Sequence, residues 1–297
     1  MTAESDKHGA PQIEKDPVTG TDTTGHEWDG IRELNTPLPR WWLYIFYATI
    51  VVAIVYWVLM PAWPGLHGAT TGVLHQSDRA NVEVEVGKLK AMRATETAAL
   101  GGSSLQQIVH DPALQRYALS LGAATFGENC AACHGQSGTG SKGYANLRDD
   151  VWLWGGSLEQ IQQTILHGVR SGDPEARLSQ MPSFGRDAIL KPEQVSDLTE
   201  YVVHLSHRPA DAAAVARAEP LFKDNCATCH GPAGLGDQSR GAPNLTDAEW
   251  LYGSDRQSIH DQIWNGRGGV MPAWGKRLDP NTIKALAVYV YVNSGGQ

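Results

Sequence analysis

The chain has 297 residues, with 24 Lys+Arg against 32 Asp+Glu, 41% hydrophobic and 8% aromatic residues, and four cysteines. That length suits two ordinary domains, and a net charge of −8 offers no basic face to nucleic acid. Mildly negative mean hydropathy excludes a multi-span membrane protein, and the apolar content is too high for a wholly disordered chain.

Residues 1–40 hold four basic and eight acidic residues, so the acidic excess sits mainly at the N-terminal end. Residues 1–25 carry too little apolar surface to offset ordering entropy and read as a disordered tail. From Trp41 to Met60 no residue is charged, and ten of the twenty are Leu, Ile, Val or Phe. A helix of that length spans about 30 Å, the hydrocarbon core of a bilayer. Trp41, Trp42 and Tyr44 at one end, with Trp57 and Trp63 at the other, supply interfacial belts. The run begins too late, is too long and lacks a small-residue cleavage site for a signal peptide, so it reads as an uncleaved anchor. Arg32 and Arg40 precede it and the next basic residue is Arg79, which places the N-terminus in the cytoplasm. Residues 61–110 read as a linker, with a short alternating stretch at Val82–Val86 and then an Ala-rich helical stretch.

The remainder repeats with a period of 96 residues, from Cys130 to Cys226. Asn129-Cys-Ala-Ala-Cys-His-Gly135 is matched by Asn225-Cys-Ala-Thr-Cys-His-Gly231, with Phe126 and Phe222 four residues before each first cysteine. An Asn-Leu-x-Asp element follows in each copy, then Trp-Leu-aromatic-Gly at Trp152 and Trp250, then Met-Pro-x-aromatic-Gly at Met181 and Met271. Each copy closes on a helical pattern with a Tyr-Val pair. Val195, Leu198, Val202 and Leu205 share one face of the first; Ile283, Leu286 and Val290 share one of the second. Two small all-α domains are expected, at 111–208 and 209–297.

All four cysteines lie in two Cys-x-x-Cys-His pentapeptides. A shared zinc site would have to join pairs 96 residues apart, and a thioredoxin-like pair would need a βαβ context that this helical region lacks. Covalent haem c attachment is the reading that suits both copies, through Cys130 and Cys133 and through Cys226 and Cys229. His134 and His230 stand next to them as axial ligands. Met181 and Met271 are expected as the sixth ligands, because they occupy the same repeated element and the other methionines are only Met1, Met60 and Met92. Pairing each Met with its own repeat rests on proximity along the chain alone, and a crossed pairing satisfies the same pattern. His167, His204, His207 and His260 do not recur at matched places and read as surface or packing residues. Arg170 and Arg267, just after Gly168 and Gly266, are equally compatible with haem propionate contacts and with solvation. Trp152, Trp250, Phe184 and Trp274 read as core residues. Haem c is attached outside the cytoplasm in bacteria, so residues after the span face the periplasm.

Each half resembles a class I cytochrome c domain. The order of single span, linker and two such domains is similar to the dihaem subunit of the cbb3-type cytochrome c oxidases, the CcoP/FixP family. So is the juxtamembrane stretch from His26-Glu-Trp-Asp-Gly-Ile31 through Glu33-Leu-Asn-Thr-Pro-Leu-Pro-Arg-Trp-Trp42, where Thr36 stands in place of an expected Asn. The resemblance covers residues 26–297. It implies a non-catalytic subunit in the bacterial inner membrane that takes electrons from a soluble or membrane-bound cytochrome c donor. Its partners would be a monohaem cytochrome c subunit and the haem–copper subunit that reduces oxygen. A free membrane-anchored dihaem shuttle is the alternative, and residues 26–42 count against it. A dihaem peroxidase would need an iron with a displaceable ligand, and a haem gas sensor would need a signalling segment.

Overall fold

The computed structural model describes residues 13–294, and the chain forms two compact units, Met1–Ala91 and Met92–Gln297.

In the first unit, β1 (Thr23–Trp28) and β2 (Ile31–Leu34) pair antiparallel. Asp29 and Gly30 join them with φ of 50° and 84°, the two positive values that a tight Asp-Gly hairpin turn requires. Part of the expected disordered tail is therefore ordered. Residues 1–12 lie outside the described residues, but Lys15 bridges Asp22 and the buried Thr23 accepts the Glu14 amide through Oγ1 at 3.1 Å. Asp16 closes the turn between them, accepting from the Thr19 amide at 2.7 Å. These local bonds satisfy backbone groups without a hydrophobic core, which composition alone does not register.

Helix α1 (Arg40–Leu59) follows Pro39 and stops before Pro61, and none of its residues is buried against the rest of the chain. Trp42 stacks on Phe46 at 5.4 Å near its start, and Trp57 meets Trp63 edge-on at 4.9 Å beyond its end. A helix this apolar and this exposed has a bilayer as its natural solvent. A short ribbon, β3 (Pro64–Gly65) with β4 (Gly68–Ala69), leads to α2 (Asp78–Met92), which buries no residue. The Val82–Val86 alternation lies within this helix.

The second unit holds α3 (Ala94–Gly102), α4 (Leu105–His110), α5 (Pro112–Asn129), α6 (Ala131–His134), α7 (Leu158–His167), α8 (Pro192–Leu205), α9 (Ala212–Asn225), α10 (Ala227–His230), α11 (Arg256–Asn265) and α12 (Pro280–Asn293). Local chemistry sets the starts of the longer helices. Asp111 caps α5 and Asp211 caps α9, each accepting two backbone amides; Asp279 does the same for α12, and Pro112 and Pro280 stand at first helical positions. Ser157 and Gln160 form a capping box on α7.

The unit has two cores, and they do not follow the repeats. The first gathers α3, α4, α5, α6, α7 and α12, with Leu100, Ile108, Ala118, Leu286 and Val288 fully buried. The second gathers α8, α9 and α11, with Val195, Val203 and Phe222 buried. The closing helix of the second repeat thus packs on the opening helix of the first. Phe126 meets Tyr289 at 5.4 Å, while Phe222 meets Tyr201 at 4.9 Å. A Cβ on Gly122 would lie 2.5 Å from Tyr289 Cβ and 2.6 Å from the Ala285 carbonyl oxygen, so glycine is what lets α5 and α12 cross so closely. On the faces read from helical spacing, Val195, Leu198, Val202, Ile283, Leu286 and Val290 are buried, and Leu205 is half-buried against the second core. Residues 94–110 depart from the linker expectation. Leu100, Leu105 and Ile108 enter the first core, because two short helices can share an apolar face that neither advertises alone.

Candidate functional site

Each Cys-x-x-Cys-His segment forms the same local structure. Cys130 ends α5 and opens the single turn α6, and Gly135 closes that turn with φ 79°; Cys226 ends α9 and opens α10, closed by Gly231 with φ 75°. The turn places Cys130 and Cys226 half-buried against the helix and leaves Cys133 and Cys229 exposed. Burial pushes the Cys130 thiol up to about 11 and the Cys226 thiol up to about 12.

The histidines are oriented alike. His134 Nδ1 lies 2.8 Å from the Ala145 carbonyl oxygen, and His230 Nδ1 lies 2.9 Å from that of Pro243. A carbonyl only accepts, so Nδ1 carries the proton in each ring and Nε2 keeps its lone pair for a metal. Burial lowers the pKa of His230, favouring the neutral imidazole that ligation needs. Matched loops brace both turns: the amides of Gly140 and Gly236 donate to the carbonyls of His134 and His230, each at 2.8 Å.

The methionines cross over. Met181 lines one cleft with Cys226, Cys229 and His230, together with Phe184, Leu198, Phe222, Leu245, Trp250 and Ile263. The cleft holds about 1360 Å³, counted out into its open mouth. Met271 packs instead on the first core, on which Cys130, Leu147 and Trp152 also pack. Backbone bonds fix both placements. The Phe184 and Gly185 amides donate to the carbonyls of Ile263 and Trp264 at the end of α11, and those of Trp274 and Gly275 donate to Ile165 and Leu166 at the end of α7. Val169 and Met271 exchange both backbone bonds, at 3.0 and 2.9 Å. Gly168 (φ 72°) and Gly266 (φ 60°) make the approach possible. A Cβ on Gly168 would sit 2.3 Å from the Met271 carbonyl oxygen, and one on Gly266 would sit 2.4 Å from that of Met181. Sequence reasoning left the pairing open, and no local signal in the repeats could have closed it.

The donor set fits a c-type haem at both places. In each, two cysteines and a histidine lie on one turn; in the second, Met181 and apolar side chains line the same cleft, and in the first, Met271 packs on the core that Cys130 also joins. In the first lobe the Trp152 indole nitrogen is also buried without a hydrogen-bond acceptor among the described residues, a donor that a propionate would satisfy. Its counterpart in the second lobe, Trp250 Nε1, donates to the Asp247 carbonyl at 3.2 Å. Phe184 and Trp274 are buried as expected. His167 pairs with Asp173 at 2.8 Å and His260 stacks on Trp264 at 5.8 Å; neither these nor His204 and His207 line the cleft. Both arginines matched by sequence line the cleft, Arg170 half-buried and Arg267 exposed.

Comparison with known families divides the chain as its motifs do. Residues 20–67 match the N-terminal domain of cytochrome oxidase-cbb3, FixP. Residues 119–206 match cytochrome c, and residues 213–290 match cytochrome c oxidase, cbb3-type, subunit III. The chain is 53% identical over 292 residues to the Cbb3-type cytochrome c oxidase subunit FixP of Bradyrhizobium sp. (strain ORS 278), covering 97% of this chain and all of the relative. It is 46% identical to the subunit CcoP of Azospirillum sp. (strain B510), over 95% of this chain and 98% of the relative. It is 48% identical to the CcoP of Cereibacter sphaeroides, over 93% and 95%. With hairpin, apolar helix and both Cys-x-x-Cys-His peptides inside these matches, the chain belongs to the FixP/CcoP family, the membrane-anchored cytochrome c subunit of cbb3-type oxidases.

Proposed function

We propose that this chain binds two c-type haems and relays electrons from a cytochrome c donor toward the oxygen-reducing haem–copper subunit of a cbb3-type oxidase, without bond-making chemistry of its own. One arrangement carries the reading: each Cys-x-x-Cys-His turn presents an imidazole with a free Nε2, Met181 shares a cleft with His230 of the other repeat, and Met271 is tied to Val169 and packs on the first core. Cys130 and Cys133 would hold one haem, with His134 and Met271 as its iron ligands. Cys226 and Cys229 would hold the other, with His230 and Met181. Bound haem would supply a one-electron iron couple, which His/Met ligation would set at the oxidising end of a chain. The residues then do four things. The cysteines fix the ring edge, the carbonyls of Ala145 and Pro243 hold the imidazoles in one tautomer, the apolar walls exclude water, and the backbone pairs at α7 and α11 hold the methionines still.

The chain sits in the bacterial inner membrane through α1, with its N-terminus in the cytoplasm and its haem-binding unit in the periplasm. Covalent haem c attachment outside the cytoplasm and the Arg32/Arg40 bias both support this orientation. Its partners are the catalytic subunit, a monohaem cytochrome c subunit and a periplasmic or membrane-bound donor. Solubilisation from native membranes in mild detergent tests the reading. Co-purification of b-type haem and copper, with cyanide-sensitive oxygen uptake from reduced cytochrome c, is expected. A pull-down holding only c-type haem and consuming no oxygen overturns the oxidase assignment. The pairing has its own test. In a chain whose second haem is removed by Cys226→Ala and Cys229→Ala, Met271→His is expected to change the spectrum of the remaining haem and Met181→His to leave it alone; the reverse result refutes the crossing.

A further inference from the structure

We infer that Arg170 is a positioning residue that clamps both methionine-bearing segments at once. Its Nη1 donates to the Ser179 carbonyl at 2.5 Å and its Nε to the Gly269 carbonyl at 2.7 Å. These carbonyls stand two residues before Met181 and two residues before Met271. One guanidinium therefore grips equivalent points on the two crossing loops, from near the start of the loop that bears Met181.

Three observations support the clamp. Arg170 holds a left-handed backbone, φ 51°, which a non-glycine residue keeps only where its surroundings enforce it. The enforcement is visible: its amide donates to the Arg177 carbonyl at 2.7 Å, and the preceding Val169 is locked to Met271 by two backbone bonds. Among the described residues it forms no ion pair, although it is half-buried, so its donors are committed to carbonyls rather than to a carboxylate. Gly268 leaves room for it, since a Cβ there would come within 3.1 Å of Arg170 Nε. The geometry needs a planar fork with donors in fixed directions; a lysine ammonium is a point charge on a flexible stem and cannot serve both carbonyls in the same way. The consequence is that the two haem sites share one mechanical support, and loosening it loosens both.

This inference rests on the crossed His/Met ligation proposed above. The test uses the full-length, haem-loaded chain in detergent and compares it with Arg170→Lys and Arg170→Met. Haem content checks that both variants mature, and the lysine variant, which keeps the charge, decides if the methionine variant does not. The readouts are the near-infrared band of methionine bound to ferric haem, the imidazole concentration that displaces it, and the midpoint potentials of the two haems. Losing a hydrogen bond from a charged donor should let imidazole displace methionine at roughly tenfold lower concentration, and at both haems. Both potentials should fall as methionine ligation weakens. A response at one haem only, or at neither, overturns the clamp. A wild-type chain without the band overturns the ligation reading and the clamp together, and it is recorded before any variant is made.

Discussion

The two lobes of the haem-binding unit contain the same parts in different chain order. The first is built from residues 94–169 and then from Met271 and α12, so its closing helix arrives after the whole of the second lobe has been made. The second is one continuous stretch in which Met181 and α8 precede α9, α10 and α11. Its closing helix comes first. The same Phe–Tyr contact, the same glycine at the end of the third helix and the same methionine loop serve both lobes. Packing reads shape, not chain order, so two repeats can exchange their closing segments without losing a contact type. The difference falls on folding: the second lobe closes through local contacts, while the first must close across more than a hundred residues.

Truncation should separate the lobes most sharply. A chain ending at residue 208 keeps a complete first repeat but loses Met271 and α12, with Ile283, Leu286, Val288 and Val290 all buried in the first core. At ~1.5–3 kcal/mol for each buried aliphatic side chain, that loss is comparable to the entire stability of a small domain. The expected result is no cooperative thermal transition for the first lobe, followed by circular dichroism. A 176–268 segment should fold and bind one haem. A stable, haem-loaded 111–208 would show that the exchange is dispensable.

Valine at the two crossing glycines sharpens the assignment of each methionine. Gly266→Val should expel Met181 and spare Met271, and Gly168→Val should do the reverse. Each added side chain would collide with the backbone of the other repeat and hold a left-handed conformation at a cost of ~1–3 kcal/mol. The near-infrared methionine band, followed during separate titration of each haem, reports which ligand is lost. If Gly266→Val alters the haem on Cys130, the pairing is wrong.

A double-mutant cycle probes the helix exchange more gently. Phe126→Leu with Tyr289→Leu should couple by about 0.5–1.5 kcal/mol in denaturant unfolding, and Phe126→Leu with Tyr201→Leu should be additive. Coupling in the second pair instead of the first would restore the linear arrangement of repeats.

Acid gives the smallest effect, confined to the second lobe. Arg256 donates to Glu200 at 2.6 Å and to the Pro209 carbonyl, bracing the link between α8 and α9. The hydrogen bond from Arg256 holds the Glu200 carboxyl below the usual range. A depressed carboxylate contributes stability that is present above its unfolded pKa and is lost as the pH falls through the folded value. The second lobe should therefore weaken below pH ~4.3, and Glu200→Gln should flatten that dependence in acid titrations of unfolding. An unchanged acid profile would remove the pair from the account.

Some misses have visible signals. The Asp29-Gly30 turn lay in plain sight between Trp28 and Ile31, and its positive φ values are what that dipeptide favours. The helix over Val82–Val86 contradicts an alternating pattern, because five residues are too few to outweigh the flanking helix formers of α2. Residues 94–110 gave no sign of burial, since Leu100, Leu105 and Ile108 become core residues only where α3 and α4 meet helices distant in the chain, α5, α7 and α12 among them.

The sequence by itself determined the chemical inventory: four cysteines in two Cys-x-x-Cys-His peptides, two matched histidines and methionines, and twenty uncharged residues able to span a bilayer. Each of these depends on residue type and short spacing, which the chain carries wherever it goes. The partnership of each methionine was decided only in three dimensions. Both loops bear the same Met-Pro element and both helix ends bear the same glycine, so each local contact is equally good in either pairing. Only the simultaneous fit of α12 on α5 and α8 on α9 chooses between them.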